Sequence, residues 1–298
     1  MHGRSSHAGG DPFNHLVRRH PCFSAGAHRS SGRIHLPVSP ECNIRCRFCE
    51  RALDSFTMRP GVARGILSPG MAPKVVARAL ELCPELAVVG VAGPGESLAT
   101  THAADALEAV LKRFPNLIGC LSSNGLNLAC QVDRLAAIGV RSVSVTVNAL
   151  SPSVWPGVYA WIMHKGRKVK GDEAARILGR AQEQGIRRAA ALGLVVKVNS
   201  VLVPGINEDE IEKIALWAGR CGASIMNVIP LLPAGEMAGI PAPDCQTIER
   251  VRRRVEKYLP VFRHCRHCRA DACGIPGLGR DLAADLYGER PVETFSHG

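Results

Sequence analysis

The sequence predicts an α/β protein built as an incomplete (β/α)6 barrel with cysteine-bearing N- and C-terminal extensions. Three observations carry that expectation. From Ile34 onward, strand-length apolar runs alternate with amphipathic stretches at helical spacing. The runs are apolar throughout, as in parallel strands buried on both faces. Polar and glycine-rich segments follow the strands directly, where barrels of this kind collect their chemistry.

The elements read as follows. A strand over 34–38 leads into a cysteine-rich loop. A helix over 73–83 carries Val75, Val76, Ala79 and Leu80 at helical spacing, and the apolar run 86–91 ends in Gly93-Pro94-Gly95. A helix over 103–114 precedes a strand over 118–121, and a helix over 131–138 stops at Gly139 before a strand over 142–147. An irregular insert follows over 150–170. The series resumes with a helix over 172–184, a strand over 194–202, a helix over 208–218, a strand over 224–229 and a last helix over 244–258. This organisation divides the chain into an extension over 1–30, the barrel over 31–260 and a tail over 261–298.

No apolar run approaches the length of a membrane span. The opening MHGRSSHAGGDP has no apolar core behind its charges and does not read as a secretory signal. The expectation is a soluble cytoplasmic protein with a frayed first turn or two. The formal charge of +11 invites a nucleic-acid reading. Against it, the basic residues are scattered, no recognition motif appears, and there are only three Trp, three Tyr and seven Phe. The basic stretch 250–257 reads as a solvated helix face. A positive surface also suits the steering of an anionic cargo.

Twelve cysteines are many for such a chain, and they cluster at 42–49 and 265–273. Without an export signal, clustering favours metal over disulfides. Cys42, Cys46 and Cys49 supply three thiolates and leave no room in the loop for a fourth. A zinc site would want four closed ligands. A [4Fe–4S] cluster held this way keeps one open iron, which the amino and carboxylate groups of S-adenosylmethionine (SAM) can chelate. An electron from the reduced cluster then cleaves the sulfonium and generates a 5′-deoxyadenosyl radical.

The cysteine loop and the Gly93-Pro94-Gly95-Glu96 turn resemble those of the radical SAM superfamily. That resemblance implies that Cys42, Cys46 and Cys49 are catalytic as cluster ligands. It also implies that Phe48 lies against the adenine, and that Gly93, Gly95, Glu96, Ser122, Asn124 and Asn199 contact SAM.

Further cysteines flank the barrel. His20-Pro21-Cys22-Phe23 lies upstream of the first strand, and His264-Cys265-Arg266-His267-Cys268-Arg269-Ala270-Asp271-Ala272 follows the last helix. The two ends are expected to meet over the barrel mouth, near the SAM site. A zinc knuckle from Cys265, Cys268 and a nearby histidine is the alternative by spacing alone.

A closer resemblance then appears. HPCFSAGAHRSSGRIHLPVSPECNIRCRFC, AGPGE, SSNGL, VSVTVNAL, VKVNSVLVPGIN, NVIPLLPA and HCRHCRADA together resemble the NifB family of nitrogenase cofactor biosynthesis, over roughly residues 18–274. The resemblance implies a radical SAM barrel holding the SAM cluster plus two substrate [4Fe–4S] clusters. These are fused, with a SAM-derived carbide and an extra sulfide, into an 8Fe–9S–C precursor. One SAM donates a methyl group to a cluster sulfide, and a second yields the radical that abstracts hydrogen from it. By position, Cys22, His35 and Cys120 are implied ligands of one substrate cluster, and Cys265 and Cys268 of the other. His20 is a less defined candidate, Cys273 a spare one, and Cys83, Cys130, Cys221 and Cys245 read as structural. Implied partners are iron–sulfur donor proteins, a cofactor carrier or scaffold, and an electron donor such as ferredoxin, with no nucleic acid and no membrane.

Two departures from the family stand out. Ser55 and Thr57-Met58 occupy a loop, one residue shorter, where relatives carry a cysteine and Asn-Glu-Ser. The chain also ends near the barrel, without a NifX-like domain, so hand-over is expected to need a separate carrier. Two other function classes stay open on sequence alone. One is a radical SAM enzyme with auxiliary clusters acting on an organic or peptide substrate. The other is a zinc- or cluster-containing nucleic-acid binder.

Overall fold

The computed structural model describes residues 12–279, 281–288 and 293–294. The first eleven residues of the extension, with their expected frayed turns, lie outside the described residues, as do parts of the tail. Two short helices, α1 (Pro12–Arg19) and α2 (Ala25–Ser30), precede β1 (Gly32–His35). The cysteine loop contains β2 (Ile44–Cys46) and is followed by β3 (Ala52–Leu53) and β4 (Val62–Ala63). Next come α3 (Ala72–Leu82), β5 (Leu86–Val91), α4 (His102–Arg113), β6 (Ile118–Ser123), α5 (Leu128–Ala137) and β7 (Val140–Thr146). Then follow α6 (Trp155–Val158), β8 (Tyr159–His164), β9 (Arg167–Val169), α7 (Gly171–Ala191), β10 (Val195–Leu202), α8 (Glu210–Cys221) and β11 (Ile225–Pro230). The chain continues through α9 (Cys245–Val255), β12 (Cys273–Gly274) and α10 (Ala283–Tyr287) to β13 (Glu293–Thr294), which pairs with β3.

The main sheet runs β11-β10-β7-β6-β5-β1-β12. Its first six strands are parallel neighbours, and β12 lies antiparallel to β1. This is the curled partial barrel of six β/α units that the alternating pattern predicts. Alternate side chains face opposite ways along each strand. Val89, Val91, Leu121, Val143, Val196, Val198 and Val228 face outward onto the helices, with Val76, Leu107, Leu135, Ile186 and Ile214. Their alternates line the barrel interior. Full burial of an aliphatic side chain contributes roughly 1.5–3 kcal/mol, so this outer layer holds the helices to the sheet.

At the strands' amino-terminal ends, Val88, Ile118, Val195 and Ile225 form an apolar layer with Leu16 and Phe23 of the extension and Phe262 of the tail. The two extensions therefore meet, but at the floor of the barrel. The expected meeting over the mouth is corrected: Phe23 and Phe262 enter the apolar layer that Val88, Ile118, Val195 and Ile225 present at these ends. His28 also packs beside Phe262 and His264, at ring separations of 6.2 and 5.7 Å.

The tail closes the side of the barrel as well. Val261 bridges Met226 on β11, and β12 pairs with β1 at the opposite sheet edge. The basic helix α9 is a solvated face knitted to its neighbours. Arg250 pairs with Glu208 at 2.8 Å and Arg254 with Glu212 at 2.6 Å. Among the described residues, no helix is long and apolar enough to cross a membrane.

The insert over 150–170 is not irregular. It folds as α6 and the β8–β9 hairpin, and β8 pairs antiparallel with β2, inside the cysteine loop. Short polar and aromatic residues hid this pairing, because neither partner strand is complete without the other.

Candidate metal centre

The loop carrying Cys42, Cys46 and Cys49 is fixed on every side. Ile44, Arg45 and Cys46 pair with Ile162, Trp161 and Tyr159 of β8. The Met163 amide donates to the Asn43 carbonyl at 2.8 Å, and the Arg47 amide to Val158 at 2.9 Å. From the next strand, the Gly95 and Glu96 amides donate to the Ser39 and Glu41 carbonyls, both at 2.7 Å. A Cβ at Gly95 would overlap the Glu41 carbonyl oxygen, so only glycine allows the turn to lie flat on the loop. Gly93 lies against Ala270 of the tail.

The Glu96 carboxylate is committed inside the protein. It accepts from Ser123 Oγ at 2.6 Å, the Asn124 amide at 2.7 Å and the Leu98 amide at 3.0 Å. Burial pushes its pKa up, and those hydrogen bonds work against the rise. Asn124 Nδ2 in turn donates to Asn43 Oδ1 at 2.7 Å. Glu96 and Asn124 thus tie the β5 and β6 turns to the cysteine loop. Phe48 is half-buried and packs between the β8 cluster and Leu231 and Met237.

Burial raises all three thiols. Cys42 is pushed up to about 11, by burial and then by the Glu96 charge. Cys46 rises well above the usual thiol range through burial and the neighbouring Cys49 and Cys42. Cys49 rises less, because Arg51, Arg45 and Arg59 oppose the effect of burial. These are neutral thiols whose protons a bound metal must displace. Among the described residues, no three Cys, His, Asp or Glu side chains are drawn into a closed metal-binding group. The donor set nevertheless fits a cluster: three thiols that act on one another electrostatically, on a loop pinned by four segments.

A second set of candidates lies deeper in the barrel. His35 and Cys120 sit on either side of Gly90, with which both are in register. A Cβ at Gly90 would stand 3.6 Å from His35 Cδ2 and 3.8 Å from the Cys120 Cβ, so the glycine leaves open space between them. His35 Nδ1 lies 3.0 Å from the Arg269 carbonyl, which can only accept. The hydrogen is therefore on Nδ1, and Nε2 carries the free lone pair that a metal would take. Burial, then the Arg33 charge, lowers its pKa to about 4, so the ring is neutral at pH 7.

Cys22 rises from the floor toward the same space. Burial pushes it up to about 11 against the opposing charge of Lys197, with Cys268 and Cys120 also acting on it. Burial also raises Cys120. Arg33 on β1 donates to Cys268 Sγ at 3.1 Å and to the Gly274 carbonyl at 2.8 Å. Cys265 packs half-buried on the floor layer. Ser122 and Asn199 face the interior nearer the mouth, and Asn199 Oδ1 accepts from Asn227 at 3.4 Å.

Two weaker candidates are resolved by geometry. Cys273 is in register with Ile34 and is buried on the outer face beside Cys83, away from Cys268. Burial and the Cys83 thiol push it up to about 12. It is not a spare ligand, because strand alternation turns it to the helix side. His20 Nδ1 accepts from the Cys22 amide at 3.2 Å, which leaves the hydrogen on Nε2. In that tautomer Nε2 is a donor rather than a ligand.

The loop carrying Ser55, Thr57 and Met58 is anchored by the tail. Buried Arg269 donates to the Asp54 and Thr57 carbonyls, each at 2.7 Å, and to Asp271 at 2.9 Å. Sequence reasoning missed Lys197, Arg33, Arg269 and the β8 partner strand. Lys197 could have been found: it is the one charged residue of β10 and sits at an inward position.

The radical SAM superfamily model matches residues 36–218. The chain is 40% identical over 283 residues to the FeMo cofactor biosynthesis protein NifB of Methanocaldococcus infernus, covering 94% of this chain and 93% of that one. It is also 40% identical over 265 residues to the protein of the same name from Methanocaldococcus jannaschii, covering 88% of each. Among solved structures, a radical SAM methyltransferase from Sphaerobacter thermophilus superposes with a TM-score of 0.55 at 20% identity, over 77% of this chain and 64% of that one. The last likeness shows the fold alone. Superfamily membership implies a [4Fe–4S] cluster and SAM, so the protein is a radical SAM iron–sulfur enzyme. With identity at this level over nearly its whole length, the chain belongs to the NifB family of nitrogenase cofactor biosynthesis proteins.

Proposed function

We propose that this enzyme fuses two [4Fe–4S] units, with insertion of a SAM-derived carbide and an extra sulfide, into the 8Fe–9S–C precursor of the nitrogenase cofactor. The observation that supports the reading is the pairing of His35 and Cys120 on either side of Gly90, with Cys22 in the same floor layer as Cys120 and Cys268 held at Arg33.

In this reading a [4Fe–4S] cluster at Cys42, Cys46 and Cys49 supplies the electron that cleaves SAM. The chain's own residues do the rest. The hairpin and the Gly95–Glu96 turn hold the loop rigid, and Phe48, Gly93, Ser122, Asn124 and Asn199 line the approach to it. His35 offers its Nε2 lone pair and Cys22 and Cys120 their sulfurs to one substrate cluster, while Cys265 and Cys268 hold the other. Donor proteins, a carrier and a reductant such as ferredoxin complete the cycle, which belongs in a reducing cytoplasm.

Anaerobic reconstitution with iron quantitation and EPR, with and without SAM, tests the reading. Iron sufficient for three [4Fe–4S] units is expected, with SAM converting the substrate signals to a species that activates apo-nitrogenase. Cys46→Ala should abolish SAM cleavage and leave the substrate signals intact. SAM cleavage with no product able to activate apo-nitrogenase would overturn the assignment.

A further inference from the structure

Lys197 projects from β10 into the barrel and is only 6% exposed. Its ammonium lies 5.3 Å from the Phe23 ring centroid and 5.7 Å from that of Phe262. Among the described residues it makes no ion pair with a carboxylate. Two ring contacts offset only part of the desolvation of a buried ammonium, so the site is built for an anion. The groups that feel the Lys197 charge are Cys22, Cys120, His35 and His20.

His20 supplies a second unused group in the same space. It is 2% exposed, and among the described residues its Nε2 has no hydrogen-bond partner. Because Nδ1 accepts from the Cys22 amide, Nε2 carries the hydrogen and is an unsatisfied donor. A buried cation and a buried donor, with no acceptor for either among the described residues, thus lie near three candidate ligands. A thiolate-ligated iron–sulfur cluster is anionic, and its sulfides are hydrogen-bond acceptors.

We propose that Lys197 and His20 are positioning residues for the iron–sulfur substrate at Cys22, His35 and Cys120. Lys197 balances the charge of the ligated cluster, and His20 donates through Nε2–H to one of its sulfides. The inference rests on the preceding assignment of those three ligands. It adds that the pocket sets the reduction potential of this cluster from the floor side, through charge and hydrogen bonding rather than ligation.

The test uses the full chain with Cys42, Cys46 and Cys49 replaced by Ala, reconstituted anaerobically with iron and sulfide. The EPR signal that Cys22→Ala abolishes belongs to this site. If no signal depends on Cys22, the ligand assignment falls, whatever Lys197 does. If one does, its midpoint potential is measured by redox titration in further variants. Lys197→Met should move the midpoint to more negative values, since the reduced cluster carries more negative charge, and Lys197→Arg should return most of the shift. His20→Ala should also lower the midpoint, and His20→Gln, which keeps a donor, should restore it. A falling melting temperature with an unchanged midpoint in Lys197→Met and His20→Ala would overturn the proposal and leave both residues as floor packing. Loss of the signal in both Lys197→Met and Lys197→Arg would also overturn it, because charge would then not be the property that matters.

Discussion

At Gly95 the backbone of one strand's turn lies directly against the carbonyl of Glu41, with no room for a methyl group. The clash is with backbone, which cannot rotate away as a side chain can. Gly95→Ala is therefore expected to destabilise the fold by at least about 1–3 kcal/mol, the usual range for overpacking. It should also displace the cysteine loop, because the Gly95 and Glu96 amides are two of its anchors. Formation of 5′-deoxyadenosine by the reconstituted variant, read beside its melting temperature, checks this. Full SAM cleavage at an unchanged melting temperature would contradict it. The two histidines give a second lesson at this scale. His20 and His35 look alike in sequence, yet their hydrogen bonds fix opposite tautomers, one a donor and one a potential ligand.

Among the elements, the β8–β9 hairpin matters most. It extends the cysteine loop into a three-stranded sheet of β2, β8 and β9. Ile162 is fully buried opposite Ile44, and Tyr159 stands opposite Cys46. Placing a carboxylate at 162 buries a charge without a partner and should cost on the order of several kcal/mol. Ile162→Asp should lose the SAM cluster first, since the main sheet does not depend on this hairpin. Circular dichroism near that of the parent, with iron reduced by one cluster's share, is the expected result. A variant retaining full iron would show that β8 does not support the loop. The barrel helices and strands were legible from apolar runs because their periods are regular. The hairpin was not, because a two-residue Lys165-Gly166 turn and short mixed strands carry no such period.

Over the whole molecule, the tail acts as a lateral wall. It runs from Val261 beside β11 to Cys273 beside β1, and Arg269 locks it to the loop at Asp54 and Thr57. Arg269 and Asp271 are both fully buried, and their attraction is one part of a network that includes Arg64. Removing one partner of such a pair typically costs about 3–5 kcal/mol, through the charge left behind. Arg269→Met should fall toward the lower end, because Arg64 still pairs with Asp271. The expected readout is a melting temperature several degrees lower, together with early proteolysis after residue 262. Unchanged protease resistance would mean that the wall is held by β12 alone.

By itself the sequence determined the barrel, its six β/α units and the cysteine loop at the strands' carboxyl ends. Those rest on local period and spacing, which the chain carries along its length. The resemblance to the NifB family, carried by short motifs far apart in the chain, implied Cys22, His35, Cys120, Cys265 and Cys268 as candidates. Only the tertiary structure decided that both extensions meet at the floor, that Cys273 faces the helices, and that Lys197 points inward between Phe23 and Phe262. Those outcomes depend on which way alternate residues turn and on what packs opposite them, and both are set by contacts between distant segments.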